Sequence, residues 1–276
     1  MPVNIDRISI VIPCHNEGGA INALVAETFA TLGPLCGEVL VVDDGSTDAT
    51  AQNLLREFGA EPRFHLIRHR RCWGQSSAVR SGVRAATGTW IATMDGDGQN
   101  PPDQILQLIR RLAEGNDDAV GLVQGQRRDR QDAGNRKLAS QVANRIRNLC
   151  LGDNVSDSGC GLKLFRRDAW LALPFFDHIH RFTPAMMQRE GWLVLVAPVT
   201  HRPRVAGVSK YSNWRRGMVG IVDLVGAAWL IRRTGVPSAP ERLDGAPLLA
   251  SAPESMMARH TAQPLDLLDA TERAAS

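Results

Sequence analysis

The chain has 276 residues, 43% of them hydrophobic, which is enough to bury a full core and suits one α/β domain better than two small ones. Its net charge of +3 is uneven, because residues 1–234 carry +6 and residues 235–276, with three arginines against six acids, carry −3. The five cysteines are scattered without a CxxC pair, which argues against a disulfide framework or a zinc site and favours a reducing compartment.

Strand and helix patterns alternate along the first 124 residues. Helix-period segments separate short apolar runs rich in β-branched residues, and this alternation predicts a mainly parallel sheet covered by helices on both faces. The predicted strands are 8–12, 39–42, 64–67, 89–94 and 119–123, and the predicted helices are 20–32, 48–58, 75–86 and 104–113. Ligands of such open sheets bind beyond the carboxyl ends of the strands, so polar clusters are expected there.

Acidic loops follow three of these strands. The first strand continues into "PCHNE", the second into "DDGSTD" and the fourth into "DGDGQ". Acids packed together at one sheet edge repel each other unless a cation or a donor-rich ligand lies among them. Oxygen donors such as Asp95, Asp97 and Gln99 suit Mg²⁺ or Mn²⁺, which keeps coordination positions for water and substrate phosphates. The pattern predicts a metal and diphosphate platform.

Each loop also has a plain structural interpretation. "DDGSTD" is compatible with a turn in which Ser46 or Asp48 caps the next helix, and "DGDGQ" alone with a solvated turn. Their occurrence on successive strands of one sheet is more specific than either loop by itself. The chain contains neither a GxxxxGK[ST] phosphate loop nor a GxGxxG after the first strand, which excludes P-loop and Rossmann dinucleotide sites.

Six segments together resemble a known family. "VIPCHNE", "VVDDGSTDAT", "MDGDGQNPPD", "DSGCGLKLFRRDAW", "HRF" and "HRPRVAGVSKY" occur in the order typical of family 2 glycosyltransferases of the dolichol-phosphate mannosyltransferase and bacterial polyprenyl-phosphate glycosyltransferase group. The resemblance covers roughly residues 5–233 and is specific because the last motif distinguishes this group within family 2. It implies a GT-A fold, a nucleotide-sugar donor, a divalent metal and a lipid phosphate acceptor.

The resemblance also implies roles for individual residues on the donor side. Asp97 with Gln99 would hold the metal against the donor diphosphate, with Asp95 on the ribose or sugar side of the same site. Arg204 and Lys210 match basic residues that grip the donor phosphates in this group. The residues expected to lie against the nucleotide are Pro13, Asn16, Glu17 and Asp44, the last at the base or ribose.

Two basic tracts, 126–147 and 199–216, flank the predicted cleft. A charge run is usually a solvated face, but these tracts are also suited to anionic headgroups and to an acceptor phosphate. Nucleic acid is not expected as a partner, because the chain has one tyrosine and no basic–aromatic stacking pattern. The predicted acceptor contacts are Arg127, Arg130, Arg136, Ser158 and Arg181. Asp157 is expected on the same side, where it could act as a base, although the reaction does not need one.

Residues 217–231 form an apolar segment between arginine pairs. As a helix its 15 residues would span roughly 22 Å, short of a bilayer core of roughly 30 Å, and Asp223 lies in its middle. We interpret it as an interfacial helix with Trp214 and Trp229 as anchors; the alternative is a core helix capped by arginines. No secretory signal precedes it, so we expect a peripheral protein on the cytoplasmic face of the cell membrane.

Three regions follow from these patterns. We expect a catalytic domain over 1–213, an amphipathic interface helix over 214–234 and an Ala/Pro-rich disordered tail over 235–276, with a short helix near 265–274. Because the chain contains no predicted membrane span, attachment would depend on the basic tracts, on homo-oligomerisation or on a separate membrane partner.

The predicted activity is inverting transfer of a hexose or related sugar from a GDP- or UDP-sugar to a polyprenyl phosphate. A family 2 enzyme acting on a sugar or lipid hydroxyl is the alternative, although the QxxRW motif of processive synthases is absent. A sugar-1-phosphate nucleotidyltransferase would place a Gly-rich loop with a basic residue where this chain has "PCHNEGG". An inactive lipid-binding module is the third possibility, and Asp95, Asp97, Arg204 and Lys210 argue against it.

Overall fold

A seven-stranded sheet organises the part of the chain that the computed structural model describes. Its strands lie in the order β3-β2-β1-β4-β6-β5-β7, and β6 alone runs antiparallel to its neighbours. The strands are β1 Ile8–Cys14, β2 Cys36–Asp43, β3 Phe64–Arg68, β4 Trp90–Thr93, β5 Val120–Arg127, β6 Lys163–Arg166 and β7 Leu193–Val199. The described residues are 5, 7–115, 118–127, 147–202 and 213–233, of which 213–219 are described by their backbone alone.

Helices cover both faces of this sheet. The apolar sides of α1, α2 and α4 pack on one face, and those of α3, α5, α6 and α7 pack on the other. The bounds are α1 Ile21–Leu32, α2 Thr50–Phe58, α3 Gln75–Ala85, α4 Asp103–Gly115, α5 Arg167–Ala172, α6 Thr183–Arg189 and α7 Asn213–Arg232. The strands buried between these layers are apolar on both sides; every residue of β1, for example, is buried.

The predicted strands and helices of the first 124 residues are confirmed, with bounds that differ by a few residues. The sequence interpretation missed β6 and β7. The first is only four residues long and has a charged residue at each end, so too few apolar positions lie within it to indicate a strand. The second, LVLVAPV, is an apolar run in its own right and forms an edge strand beside β5. The insertion of β6 between β4 and β5 is a long-range feature that no local pattern reports.

The strand order places the acidic loops together. β1 pairs in parallel with both β2 and β4, so the carboxyl ends of these three strands are neighbours at one edge of the sheet. The predicted convergence of the loops that follow them is therefore a consequence of the topology.

The last described helix, α7, has one packed side and one exposed side. Ala227 and Ala228 are buried in the same apolar cluster as α6, whereas Ile221, Val225 and Trp229 are 57–65% exposed. The helix therefore has features of both sequence interpretations: one side packs in the core, as in a core helix, and the other side is exposed, as in an interfacial helix. Of the helices described, none combines the length and apolar character that crossing a membrane requires. The predicted tail, 235–276, lies outside the described residues.

Glu38 of β2 connects three chain segments at the sheet edge opposite the acidic loops. Its Oε1 accepts hydrogen bonds from Ser9 Oγ at 2.6 Å and from both Thr87 N–H and Thr87 Oγ1 at 2.7 Å. Burial by itself raises the pKa of the Glu38 carboxyl, but these hydrogen bonds and the nearby His65 lower it below its ordinary value. The ionised carboxylate therefore stabilises the folded state.

Glu38→Gln is expected to lower the free energy of unfolding at neutral pH by about 2 kcal/mol, because hydrogen bonds to a charged acceptor become neutral ones. Since the folded pKa is lowered, the stability contributed by Glu38 is present above the unfolded pKa and is lost as the pH falls through the folded pKa. Urea unfolding at several acidic pH values should show a shallower pH dependence in the variant. Glu114→Gln, at an exposed position on α4, is the control. If Glu38→Gln lost stability towards acidic pH as steeply as wild type, the role of the Glu38 carboxylate would be contradicted.

Candidate active site

The loops after β1 and β2 are held to each other through Asn16. Its backbone N–H donates to Ser46 Oγ at 2.8 Å, and its Oδ1 accepts from the N–H groups of Thr47 at 2.8 Å and Asp48 at 3.3 Å. Asn16 adopts a left-handed conformation with φ of 56°, which brings its amide onto the second loop. Of the two capping residues predicted, Asp48 receives the Thr50 N–H at the start of α2, at 3.0 Å.

Asp44 organises the loop that follows β3. Its carboxylate accepts from Trp73 N–H at 2.9 Å and Gly74 N–H at 2.7 Å, and His69 Nδ1 lies 2.7 Å from Oδ1. Burial raises the pKa of the Asp44 carboxyl, but the hydrogen bonds from His69, Trp73, Cys72 and Gly74 outweigh burial and lower it. The predicted contact of Asp44 with the base or ribose remains a prediction; what the structure places on this carboxylate is the loop beside the site.

The backbone conformation after Asp44 requires a glycine, Gly45. Its φ is +71°, and a Cβ at this position would lie 2.5 Å from the backbone carbon of Arg71. This close approach lets the β2 loop and the 69–74 loop touch. Trp73, at the end of the second loop, is 53% exposed, and the Arg71 guanidinium stacks on it at 3.9 Å.

Asp95 lies at the inner end of the cluster. Gln75 Nε2 at the start of α3 donates to Asp95 Oδ1 at 2.7 Å, and Asn100 Nδ2 lies 3.5 Å from Oδ2. Burial raises the pKa of the Asp95 carboxyl and the charge of Asp97 raises it further, while Lys163 and Arg127 oppose this shift. A buried carboxyl whose ionisation is opposed by a neighbouring carboxylate forms a site that a cation would stabilise.

Asp97 and Gln99 complete this loop. Asp97 is 9% exposed, and its Oδ1 accepts the Gln99 N–H at 3.1 Å. The carbonyl oxygen of Gln99 accepts the Arg202 N–H at 2.9 Å, and Gln99 Nε2 donates to the Arg202 carbonyl at 3.4 Å. The loop is thereby joined to the segment that leads into the "RVAGVSK" motif.

These donors fit a magnesium or manganese ion. Nowhere in the described residues do three or more histidine, cysteine, aspartate or glutamate side chains cluster as a complete ligand set. Mg²⁺ typically takes one or two carboxylates and fills its other positions with water and substrate phosphates, so an incomplete protein set is what a metal–diphosphate site requires. The raised pKa of the Asp95 carboxyl, caused by burial and by the charge of Asp97, supports this fit.

Arg127 and Asp157 form a bidentate ion pair on the other side of Asp95. Arg127 Nε donates to Asp157 Oδ2 at 2.7 Å, and Nη2 donates to Oδ1 at 2.8 Å. The side chains are 20% and 11% exposed, and the ion pair raises the pKa of the Arg127 guanidinium. Arg127 and Asp157, both predicted on the acceptor side, are thus paired with each other. Ser158, next to Asp157 in the chain, is buried.

The sequence interpretation missed Lys163, which lies at the centre of the site. It is 4% exposed at the start of β6, and its Nζ donates to the carbonyl oxygens of Ser158, at 3.1 Å, and Cys160. Burial lowers the pKa of the Lys163 ammonium, while Cys160, Asp95 and Asp157 oppose that effect. A lysine inside the apolar run "GLKLF" is a signal that the sequence contains, since buried lysines need partners.

The remaining predicted residues lie at the margin of the site or outside the described residues. Pro13 lines a cavity of about 20 Å³ with Asp95 and Lys163, and Glu17 N–H donates to Thr50 Oγ1 at 3.1 Å. Arg181 ends a 3-10 turn, Ile179–Arg181, shortly before α6, and its contact with the acceptor remains a prediction. Arg130, Arg136, Arg204 and Lys210 lie outside the described residues.

Gly161→Ala tests the position of Asp95. A Cβ on residue 161 would lie 2.3 Å from Asp95 Oδ2, so the carboxylate must move away from Gln75. We expect sugar transfer to fall by about 100-fold, as displacements near 1 Å can cause in an active site. Gly159→Ala is the matched control, since its Cβ would meet no atom within 4 Å. Equal rates in the two variants would show that the position of Asp95 does not matter for catalysis.

A family model and similar proteins of known function identify the same family for this chain. The model of "Glycosyl transferase family 2" matches residues 9–171. An undecaprenyl-phosphate 4-deoxy-4-formamido-L-arabinose transferase from Pectobacterium carotovorum subsp. carotovorum is 35% identical over 213 residues, covering 76% of this chain and 64% of the relative. A dodecaprenyl-phosphate galacturonate synthase from Rhizobium johnstonii is 34% identical over 248 residues, covering 86% and 70%. The chain therefore spans about two thirds of the length of these relatives.

Solved structures share the fold. Glucosyl-3-phosphoglycerate synthase from Mycobacterium tuberculosis, in complex with Mg²⁺ and UDP, has a TM-score of 0.62 at 16% identity over 84% of this chain and 81% of that one. A mannosyltransferase from Pyrobaculum calidifontis, in complex with GDP-Man and Mn²⁺, has a TM-score of 0.61 at 22% identity over 86% and 67%. At these identities the similarity establishes the architecture alone.

Proposed function

Because the chain belongs to glycosyl transferase family 2, we propose that it is an inverting glycosyltransferase that moves a hexose or related sugar from a nucleotide-sugar donor to a polyprenyl phosphate. The predicted GT-A fold is confirmed by the solved structures that share it. The observation that carries the proposal is the convergence of Asp44, Asp95 and Asp97 at the carboxyl edge of the sheet, next to the part-buried Arg127–Asp157 pair.

The donor occupies the acidic edge in this proposal. Asn16 and Asp44 hold the three loops that line the nucleotide, so their hydrogen bonds within the protein prepare the site before the donor binds. Asp97 with Gln99, and Asp95 behind them, would hold a divalent ion. When bound, that ion neutralises charge on the donor diphosphate and orients it.

Arg204 and Lys210 are proposed to stabilise the departing diphosphate. The described chain supports this assignment, because Arg202, two residues before Arg204, is hydrogen-bonded through its backbone to Gln99 of the metal loop. Cations that meet the leaving group as its charge develops lower the barrier more than cations that bind the ground state and transition state equally.

The acceptor chemistry requires no protein base. A phosphate monoester is already mostly ionised at neutral pH, so one of its oxygens attacks the anomeric carbon directly. The new C–O bond forms as the bond to the donor diphosphate breaks on the opposite face, and the diphosphate takes the electron pair. Asp157 fits this scheme as a positioning residue, because both its oxygens already accept from Arg127.

The similar proteins support a lipid phosphate as acceptor. The two relatives at 34–35% identity are named for undecaprenyl phosphate and dodecaprenyl phosphate, although their sugars differ. The sugar therefore has to be found by experiment.

The test is an incubation of the purified chain, polyprenyl phosphate and Mn²⁺ or Mg²⁺ with a panel of labelled UDP- and GDP-sugars. Label from one donor should enter the organic phase, and it should not do so when the polyprenol carries a hydroxyl in place of the phosphate. Transfer to the alcohol as fast as to the phosphate would favour the hydroxyl-directed alternative, and no transfer from any donor would contradict the proposal.

We also propose that α7 rests on the membrane that holds the acceptor. Its exposed stripe of Ile221, Val222, Val225 and Trp229 is apolar, and Arg233 stacks on Trp229 at 5.6 Å. Ile221→Asp with Val225→Asp is expected to weaken co-flotation with anionic vesicles while leaving the melting temperature within a few degrees, since both side chains are exposed. Unchanged flotation of this variant would contradict the assignment.

A further inference from the structure

A second pocket lies along α3, away from the acidic loops. Its volume is about 230 Å³, and its walls include Trp170, Leu171, Leu173 and Phe175, together with the side chains of Arg80 and Arg84. Gln75, the α3 residue that contacts Asp95, is nine positions before Arg84, or roughly 13 Å along the helix. Among the described residues, Trp170 alone lines both this pocket and the cavity beside Asp95, so the two sites are adjacent but distinct.

The two arginines have no anionic partner among the residues that the structure describes. They are four residues apart on one helix, where like charges repel. Arg80 instead stacks on the Phe175 ring at 4.1 Å, which keeps its guanidinium beside the apolar wall. A pair of unneutralised guanidinium groups next to exposed leucine and phenylalanine side chains matches an amphiphilic anion, in which a phosphate adjoins a hydrocarbon part.

The pocket adjoins α7 on the same face of the sheet. Ile179 lines the pocket, and the residue before it, His178, has its Nδ1 2.9 Å from Asp223 Oδ2 in the middle of α7. Leu171 and Phe175 are each 36% exposed, and the α7 stripe is exposed as well. Apolar side chains and unpaired cations on one face match the surface of an anionic bilayer.

We propose that this pocket binds the phosphodiester headgroup of an anionic phospholipid, with the two guanidinium groups on the phosphate and Phe175 and Leu171 against the first acyl carbons. The site anchors the protein independently of the acceptor and donor. Its occupancy is therefore measurable without any enzymatic turnover, and failure of the proposed transferase activity leaves it unaffected.

Flotation of the full chain with vesicles of phosphatidylcholine, with and without phosphatidylglycerol, tests the proposal. Arg80→Gln with Arg84→Gln is expected to reduce partitioning into the phosphatidylglycerol vesicles about 30-fold, since each cation near such a surface contributes about one kcal/mol. The matched control is Arg56→Gln with Arg110→Gln, which removes the same charge from α2 and α4 on the other face of the sheet. Equal losses of vesicle binding in the two double variants would overturn the proposal, because they would show that the total charge of the protein, and not this pocket, determines binding.

Soluble ligands separate a lipid site from a phosphate site. In calorimetry, monomeric dihexanoyl phosphatidylglycerol should bind wild type and the control, and should bind Phe175→Ala at least tenfold more weakly. Inorganic phosphate binding as tightly as the short-chain lipid would overturn the lipid assignment. The lipid assignment would also be overturned if the Arg80/Arg84 variant bound vesicles as well as wild type but sedimented differently in the absence of lipid. That result would indicate that a second copy of the chain occupies the pocket.

Discussion

Asp97→Asn is expected to reduce the rate of sugar transfer by about 100- to 1,000-fold, the loss typical when one group that stabilises developing charge is removed. Asparagine keeps the size of the side chain and an oxygen that can accept the Gln99 N–H, so the loop is expected to keep its shape. What disappears is one of the two negative charges that favour a divalent ion beside the donor diphosphate. The rate is measured as label transferred to polyprenyl phosphate at saturating donor.

The control for this variant is Asp103→Asn, which removes the same charge from an exposed position at the start of α4, six residues along the chain. It should retain activity within about twofold, since surface substitutions away from such a site have small effects. Raising the Mn²⁺ concentration should restore part of the activity of Asp97→Asn and have no effect on the control. Full activity of Asp97→Asn at low Mn²⁺ would remove Asp97 from the metal site.

Arg127→Met is expected to lower the free energy of unfolding by about 3–5 kcal/mol, because it leaves the buried Asp157 carboxylate without its bidentate partner. The loss is measured by urea unfolding at neutral pH. Arg56→Met, at an exposed position on α2, should change the same quantity by about 0.5 kcal/mol at most.

A second substitution separates the structural effect from the catalytic one. Arg127→Met with Asp157→Leu removes both charges and should recover most of the lost stability, because replacing a largely buried ion pair by apolar groups is often close to neutral. Sugar transfer should stay low in this stable double variant if Arg127 contacts the acceptor phosphate. Recovery of activity together with stability would show that the pair only supports the fold.

Much of the first half of the fold could be predicted because its signals are local. The apolar runs of β1 to β5 and the 3.6-residue periods between them lie within single segments, and their parallel arrangement determines which loops meet. β6 was missed since its four residues, Lys163–Arg166, contain too few apolar positions to form a pattern. Its antiparallel insertion between β4 and β5 depends on contacts between segments distant in the chain.

The site shows the same limit. The motifs indicated that the loops of Asp44, Asp95 and Asp97 would be neighbours, and the strand order confirms this. They did not indicate that Asp44 would hold the backbone of Trp73 and Gly74. Such hydrogen bonds join residues about 30 positions apart and depend on loop geometry, which a motif does not specify.

Arg127, Asp157 and Lys163 extend that lesson to the acceptor side. Arg127 and Asp157 were predicted as two separate contacts of the acceptor, and the structure pairs them with each other. Lys163 has no acidic residue in its own strand, so its interaction with Asp95 and Asp157 appears only once the sheet is assembled. Charged residues within apolar strands are therefore worth examining as site candidates in other sequences of this kind.

The metal and donor sites can be located in a crystal structure of the chain with a nucleoside diphosphate and Mn²⁺. We expect one metal peak at the Asp97 carboxylate and the diphosphate, with Arg204 and Lys210 on the terminal phosphate. A diphosphate bound away from the carboxyl ends of β1, β2 and β4, or a metal ion that does not touch Asp97, would contradict this expectation.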